Sequence, residues 1–433
     1  MPCEAWEKVL LYCRQAGTKA LARSANWEAV TYFEQALEGL THLPDSRERR
    51  EQAIDLRFDL RPALAPIGEM EQLFAYLHEA ELRAEALGDQ RRLGQALFYM
   101  TRAFWEMGDQ ERALETGQRV FSLANALGDF SLQIMAHYSL GRVHSALGNH
   151  HQAVELLRKN VTLLKGDLSR EHFGLTGLAS VSSSIELSVD LAELGAFAEG
   201  IACGEEAIRI AEAVDHPFDR VRAYLGMGNL YLYKGDLPKA ISVLERGLEV
   251  CQTSNILLLS PHVTSALGAA SALSGRGAEA LPLLEQAVEQ VTSLIHRPFL
   301  PRWTIQLGEG YLLAGRIEAA MTEARRALTL ARDSKQRGLE AWALRLLGQV
   351  EAQREPAAVE PVEAHYRQAM SIANELEMRP LLAHCHLDLG TLYRRLGRHA
   401  AAQAELSAAM ALYRAMEMTF WLSRAETELA QRA

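Results

Sequence analysis

Small, apolar and polar positions recur along this chain in one register, and the register repeats every 40 residues. Gly68, Gly108 and Gly148 are spaced by 40, and after one longer step so are Gly195, Gly235, Gly275 and Gly315. About seven residues before each of these glycines lies a small residue, as at Thr101, Gly141, Ser188, Gly228, Gly268 and Gly308. Five residues after it come Ala113, Ala153, Gly200, Ala240, Ala280 and Ala320. An aromatic follows the first small position by three in Gly228–Tyr231, Gly308–Tyr311 and Gly390–Tyr393. A fixed period of this length marks one supersecondary unit repeated along the chain. Small residues at facing positions let two antiparallel helices approach closely, and the aromatic fills the space one turn on. The glycine between the helices closes the first of them, where a left-handed backbone is needed. In Leu87-Gly88-Asp89 and Leu127-Gly128-Asp129 a glycine C-cap is followed by an aspartate suited to N-cap the next helix.

This pattern resembles the tetratricopeptide repeat over nearly the whole chain. The resemblance implies an all-α, right-handed superhelical solenoid of about ten helix-turn-helix units plus a C-terminal capping helix. One less regular unit opens the chain around Ser24, Ala29 and Ala36. Another, near residues 341–373, carries Gly348 and Ala369 with an insertion around Arg354–Pro361, and the last has Gly390, Gly397, Ala402 and Ala409. The stretch from Phe420 to Ala433 reads as the cap. The family's usual unit is about 34 residues, so a 40-residue period implies helices roughly a turn longer. Residues 1–433 read as a single continuous solenoid, with a first unit in 1–50 and regular units in 51–165. An insertion at 166–184 is followed by regular units in 185–340, then by the looser unit, a clean unit and the cap in 341–433.

Long units of this kind resemble the repeat regions of large bacterial signalling ATPases, namely maltose-regulon-type activators and class III nucleotidyl cyclases fused to an AAA-type ATPase. The segments that carry this likeness are Leu11–Gly17 and Phe33–Leu37. It implies a regulatory or sensor arm in signal transduction, a fragment or split gene of such a protein, with an associated ATPase or cyclase domain as one candidate partner. The start of the chain close to its first repeat is in line with that second reading.

Composition narrows the field of functions. The formal net charge is −10, with acids and bases interleaved along the helices, which disfavours nucleic acid as a partner. Five cysteines, Cys3, Cys13, Cys203, Cys251 and Cys385, are scattered singly, so a reducing cytoplasm is the simpler setting. No signal-peptide pattern and no run of about 18 apolar residues occurs, so no membrane partner is expected.

Catalytic signatures are missing. Gly17-Thr18-Lys19 lacks the first glycine and the preceding strand of a phosphate loop. His384, Cys385 and His386 are too close along a helix to share a face, so no metal is expected there. His137 and His144 share a face but occupy packing positions. No nucleophile is accompanied by a base and an orienting group, so neither enzyme activity nor a cofactor is expected.

A binding surface remains. In the repeat family the first helix of each unit lines the concave surface. Carried onto this chain, those positions are Phe98, Arg102 and Trp105, then Tyr138, Arg142 and Ser145, then Arg222, Leu225, Asn229 and Leu232. Arg302, Ile305, Glu309, Trp342, Arg345 and Gln349 follow toward the C-terminal end. Arg102 and Arg142 lie 40 apart, and with Trp105 they form an arginine and aromatic set of the kind enriched at interaction hot spots. The expected function is therefore a non-catalytic scaffold that binds a peptide or protein segment in its concave groove. The sequence leaves open whether the ligand is a peptide, a protein domain or a small molecule.

Overall fold

A computed structural model of the chain describes residues 3–23, 25–290, 294–354 and 359–431. Ser24 of the opening unit, residues 355–358 of the irregular segment and the last two residues of the terminal stretch lie outside the described residues. Among the described residues there are 21 α-helices, two short 3-10 helices and no strand. The helices divide between two compact units, and the boundary falls after Leu140.

The first unit takes in residues 1–140 and 292–298. It contains α1 (Cys3–Ala22), α2 (Asn26–Thr41), α3 (Arg47–Ile67), α4 (Met70–Leu87), α5 (Gln90–Met107), α6 (Gln110–Leu127) and the start of α7 (Phe130–Leu147). The turns are too short for neighbours to do other than run antiparallel. Gly68, Gly88, Gly108 and Gly128 close their helices with φ between 62° and 83°, the left-handed region where a Cβ is penalised. Asp89 and Asp109 then cap the next helices, accepting from the backbone N–H groups of Arg92 and Arg112 at 3.0 and 3.2 Å. Alanines at the facing positions, Ala80, Ala84, Ala96, Ala113 and Ala124, are fully buried.

The second unit takes in residues 141–291 and 299–433. After the end of α7 it contains α8 (His150–Leu163), α9 (Ala179–Glu193), α10 (Phe197–Val214), α11 (Pro217–Lys234), α12 (Leu237–Thr253), α13 (Ser260–Leu273) and α14 (Gly277–Glu289). There follow α15 (Leu300–Leu313), α16 (Ile317–Asp333), α17 (Arg337–Glu351), α18 (Val359–Glu375), α19 (Arg379–Arg395), α20 (His399–Ala415) and α21 (Thr419–Ala430). The small-residue positions are where paired helices touch. A Cβ on Gly141, Gly228, Gly268 or Gly390 would meet Leu157, Leu244, Leu284 or Leu406 of the partner helix at 2.4–2.8 Å. The extra residues before Gly195 form a 3-10 helix (Gly166–Arg170) and a loop, whereas Ser182, Ser183 and Ser184 are buried within α9.

Within this unit the stack closes on itself. The left-handed glycines of the turns after α7, α9 and α11 lie against its C-terminal helices. A Cβ on Gly148 would stand 2.7 Å from Leu376, one on Gly195 would stand 2.3 Å from the Met416 sulfur, and one on Gly235 would stand 2.9 Å from the Trp421 ring. Gly275 and Gly315, the next in the series, have nothing within 4 Å.

Candidate functional site: a cavity in the second unit

The inner helices α15, α17, α19 and α21, with the ends of α11 and α13, surround a cavity of about 450 Å³. The six C-terminal inner positions read from the sequence, Arg302, Ile305, Glu309, Trp342, Arg345 and Gln349, all line it. The 40-residue register explains this, since Arg302 and Trp342, Ile305 and Arg345, and Glu309 and Gln349 are equivalent places on adjacent repeats.

Arg345 is the polar centre. Its Nε donates to Asp388 Oδ2 at 2.7 Å and its Nη1 lies 3.6 Å from Glu309. Burial works against the guanidinium charge, but the two carboxylates hold its pKa above the ordinary arginine range. Burial likewise pushes both carboxyls up, against the pull of Arg345. One wall is aromatic. Tyr233 and Trp342 meet edge to face at 5.8 Å, Trp342 and His384 are 5.7 Å apart, and His384 packs on Trp421 at 4.4 Å. His384 pairs with the Tyr413 hydroxyl at 2.7 Å. Burial, reinforced by Arg345 and Arg424, holds its pKa well below the usual histidine value, so the ring stays neutral.

Behind the wall sits Glu193, at the end of α9. It accepts from the Tyr233 hydroxyl at 2.7 Å, from Arg302 at 3.1 Å and from the Trp342 indole N–H at 3.3 Å. One carboxylate thus ties α9, α11, α15 and α17 together. One turn earlier on α9, Asp190 pairs with His150 at 2.7 Å, both side chains being buried.

The remaining inner positions have these surroundings. In the first unit, Phe98, Trp105 and Tyr138 are buried, and Arg102 donates to Glu106 at 2.7 Å. In the second, Arg142 and Arg222 both reach Glu186, at 3.5 and 2.9 Å, and Arg222 also donates to Ser182. Ser145 is half-buried beside Asp190, and Leu225 and Asn229 are half-buried. Leu232 lines the cavity. His384 and His386 do not converge, because His386 turns to Glu405 at 2.6 Å.

Sequence reasoning missed the contributions of α19 and α21: His384, Asp388, Arg395, Trp421 and Arg424. The irregular segment after α17 stretches the Arg345–Asp388 spacing to 43, which hides α19 from a strict 40-residue count. The last helix reads as a cap although it is also a wall.

Tetratricopeptide-repeat family models match residues 180–253 and, separately, residues 134–159, 261–286 and 383–408. The chain thus carries tetratricopeptide repeats. No curated protein sequence matches it. Among solved structures, a Rap protein complexed with Competence and Sporulation Factor is similar with a TM-score of 0.61 at 12% identity, covering 87% of this chain and 99% of its own. The Rap conjugation gene regulator of the plasmid pLS20 in complex with the Phr* peptide gives 0.53 at 13%, covering 95% and 96%. A monomeric mutant of IFIT1 with Gppp-AAAA gives 0.50 at 16%, covering 96% and 89%. At these identities the likeness is one of fold. No helix among the described residues is long and apolar enough to cross a membrane.

Proposed function

We propose that this chain is a non-catalytic interaction scaffold, and that it takes a peptide or protein segment on the inner face of its second unit with the cavity as anchor. The observation that carries the reading is the convergence of equivalent inner positions from adjacent repeats on one half-open, aromatic-walled space. Sites of this kind, apolar with a few fixed polar groups, are where proteins hold small ligands and side chains. The peptide complexes of the Rap neighbours support a peptide as occupant. Arg222, Leu225, Asn229 and Leu232 on α11 extend the surface from the cavity. Phe98, Arg102, Trp105 and Tyr138 of the first unit, and Arg142 and Ser145 on α7, are further candidate contacts, tested by Arg102→Glu and Arg142→Glu.

The test is selection of binders from a random peptide library on the full chain, followed by competition with Thr391→Trp, which fills the cavity from α19. Binding lost in that variant, with helical signal retained, supports the reading. Binding that survives it places the anchor elsewhere. The alternative, a regulatory arm of a signalling ATPase or cyclase, rests on the Leu11–Gly17 and Phe33–Leu37 segments and is tested by co-purification with such a domain encoded beside it.

A further inference from the structure

The cavity of the second unit carries two charge imbalances at different depths, and together they define an occupant. At the centre one guanidinium lies within ion-pair distance of two carboxylates, and Arg424 also draws on Asp388 from farther off. Asp388 is held by Arg345 at 2.7 Å and by Gln349. Glu309 has only the longer approach of Arg345, at 3.6 Å, and accepts no hydrogen bond among the described residues. It is 29% exposed, and the space it faces is the cavity. An acid without a close cation in a half-open site lacks the partner that Asp388 has, and a ligand cation supplies it through a charge-assisted hydrogen bond.

At the mouth the balance is reversed. Arg395 and Arg424 line the cavity, are exposed, and have no carboxylate within ion-pair distance among the described residues. The nearby Glu428 is already taken by Arg394 at 2.7 Å. Arg395 lies seven residues beyond Asp388 on α19, about 10 Å along the axis.

One arginine already lies over each of three aromatic rings in the wall: Arg302, Arg345 and Arg424 over Tyr233, Trp342 and Trp421 at 5.3, 5.7 and 5.4 Å. Glu309, which has no close cation of its own, is the acid placed to meet an incoming cation. The volume, about 450 Å³, is at the lower end for ligand pockets, so it takes a chain end and not a folded element.

We propose that the cavity binds the C-terminal end of a peptide whose last residue is basic, with the side-chain cation against Glu309 and the α-carboxylate between Arg395 and Arg424. This rests on the peptide reading above and narrows it. Three probes test it on the full chain: acetyl-Ala-Leu-Lys with a free carboxylate, the same peptide as its C-terminal amide, and acetyl-Ala-Leu-norleucine. Binding is followed by calorimetry and by the fluorescence of Trp342 and Trp421. The lysine free acid is expected to bind at least tenfold more tightly than either of the others. Glu309→Gln should erase the preference for lysine over norleucine. Arg395→Ala with Arg424→Ala, both at exposed positions, should erase the preference for the free acid over the amide. Equal binding of all three peptides overturns the proposal and leaves the peptide reading standing. No binding of any of them at millimolar concentration, while library peptides still compete with Thr391→Trp, also overturns the proposal alone. Absence of both kinds of binding overturns the broader reading as well.

Discussion

The glycines of this chain separate into two kinds, and single substitutions should tell them apart. Gly228 has an ordinary helical backbone, but a Cβ there would lie 2.4 Å from Leu244 Cγ. Gly228→Leu should therefore force α11 and α12 apart at a cost of about 2–3 kcal/mol, as overpacked core sites do. Gly275 is the converse case, with φ of +84° and open space around it. Gly275→Ala should cost on the order of 1 kcal/mol, from backbone alone. Urea melts of the two variants check this, and equal midpoints would mean the small-residue register is misread. Glu309 gives a prediction with a pH sign. Burial raises its folded pKa above the ordinary carboxyl value, so the ionised form is a liability in the folded state and stability is regained as pH falls through the folded pKa. Glu309→Gln should melt higher than the parent at pH 8, and the advantage should shrink as pH falls through the folded pKa and vanish below about pH 4, as the carboxyl becomes protonated in both states. A parent that melts higher at pH 8 would show that Arg345 outweighs the burial.

At the scale of helices, legibility followed the strictness of the period. The glycine caps and the helix pairs could be read because left-handed backbone and close approach each demand a particular residue type at a fixed spacing. The inner positions of α15 and α17 could be read for the same reason, since they repeat at 40 residues. What they do together could not. Glu193 bonds across sequence separations of 40, 109 and 149 residues, and no local pattern encodes a meeting at such distances. Arg102 and Arg142 were visible as equivalents, but their acids are not: Arg102 pairs with Glu106 one turn on along its own helix, whereas Arg142 reaches Glu186 beyond the insertion. Glu193→Ala should cost about 1–3 kcal/mol, because it removes the acceptor shared by the Tyr233 hydroxyl, Arg302 and the Trp342 indole N–H. The Trp342 emission should shift at the same time. A mutant with parental melting and emission would show that the four helices are held by packing alone.

At the scale of the second unit, the contacts of Gly148, Gly195 and Gly235 with Leu376, Met416 and Trp421 join helices far apart in sequence. An open repeat array is stabilised only between neighbours, and its parts melt piecemeal. This unit should melt in one transition from α8 to α21. Hydrogen exchange should show α9 and α19 opening together, and removal of α20 and α21 should loosen α9 as well as α19. Protection of α9 unchanged by that truncation would contradict the closure.

Closure also turns the number of repeats into a fixed quantity. In an open array a repeat can be gained or lost by slippage of the gene, because each junction looks like every other. Here the turn at Gly195 must arrive opposite Met416 and Pro380, and the turn at Gly235 opposite Trp421. An in-frame loss of one whole repeat, such as residues 236–275, would leave every neighbouring junction intact and still bring the wrong surfaces together. The unit is thus modular in its sequence but not in its inheritance. Change in it is confined to side chains and loops, and the cavity walled by Trp342, His384 and Trp421 keeps its dimensions while its lining is free to vary.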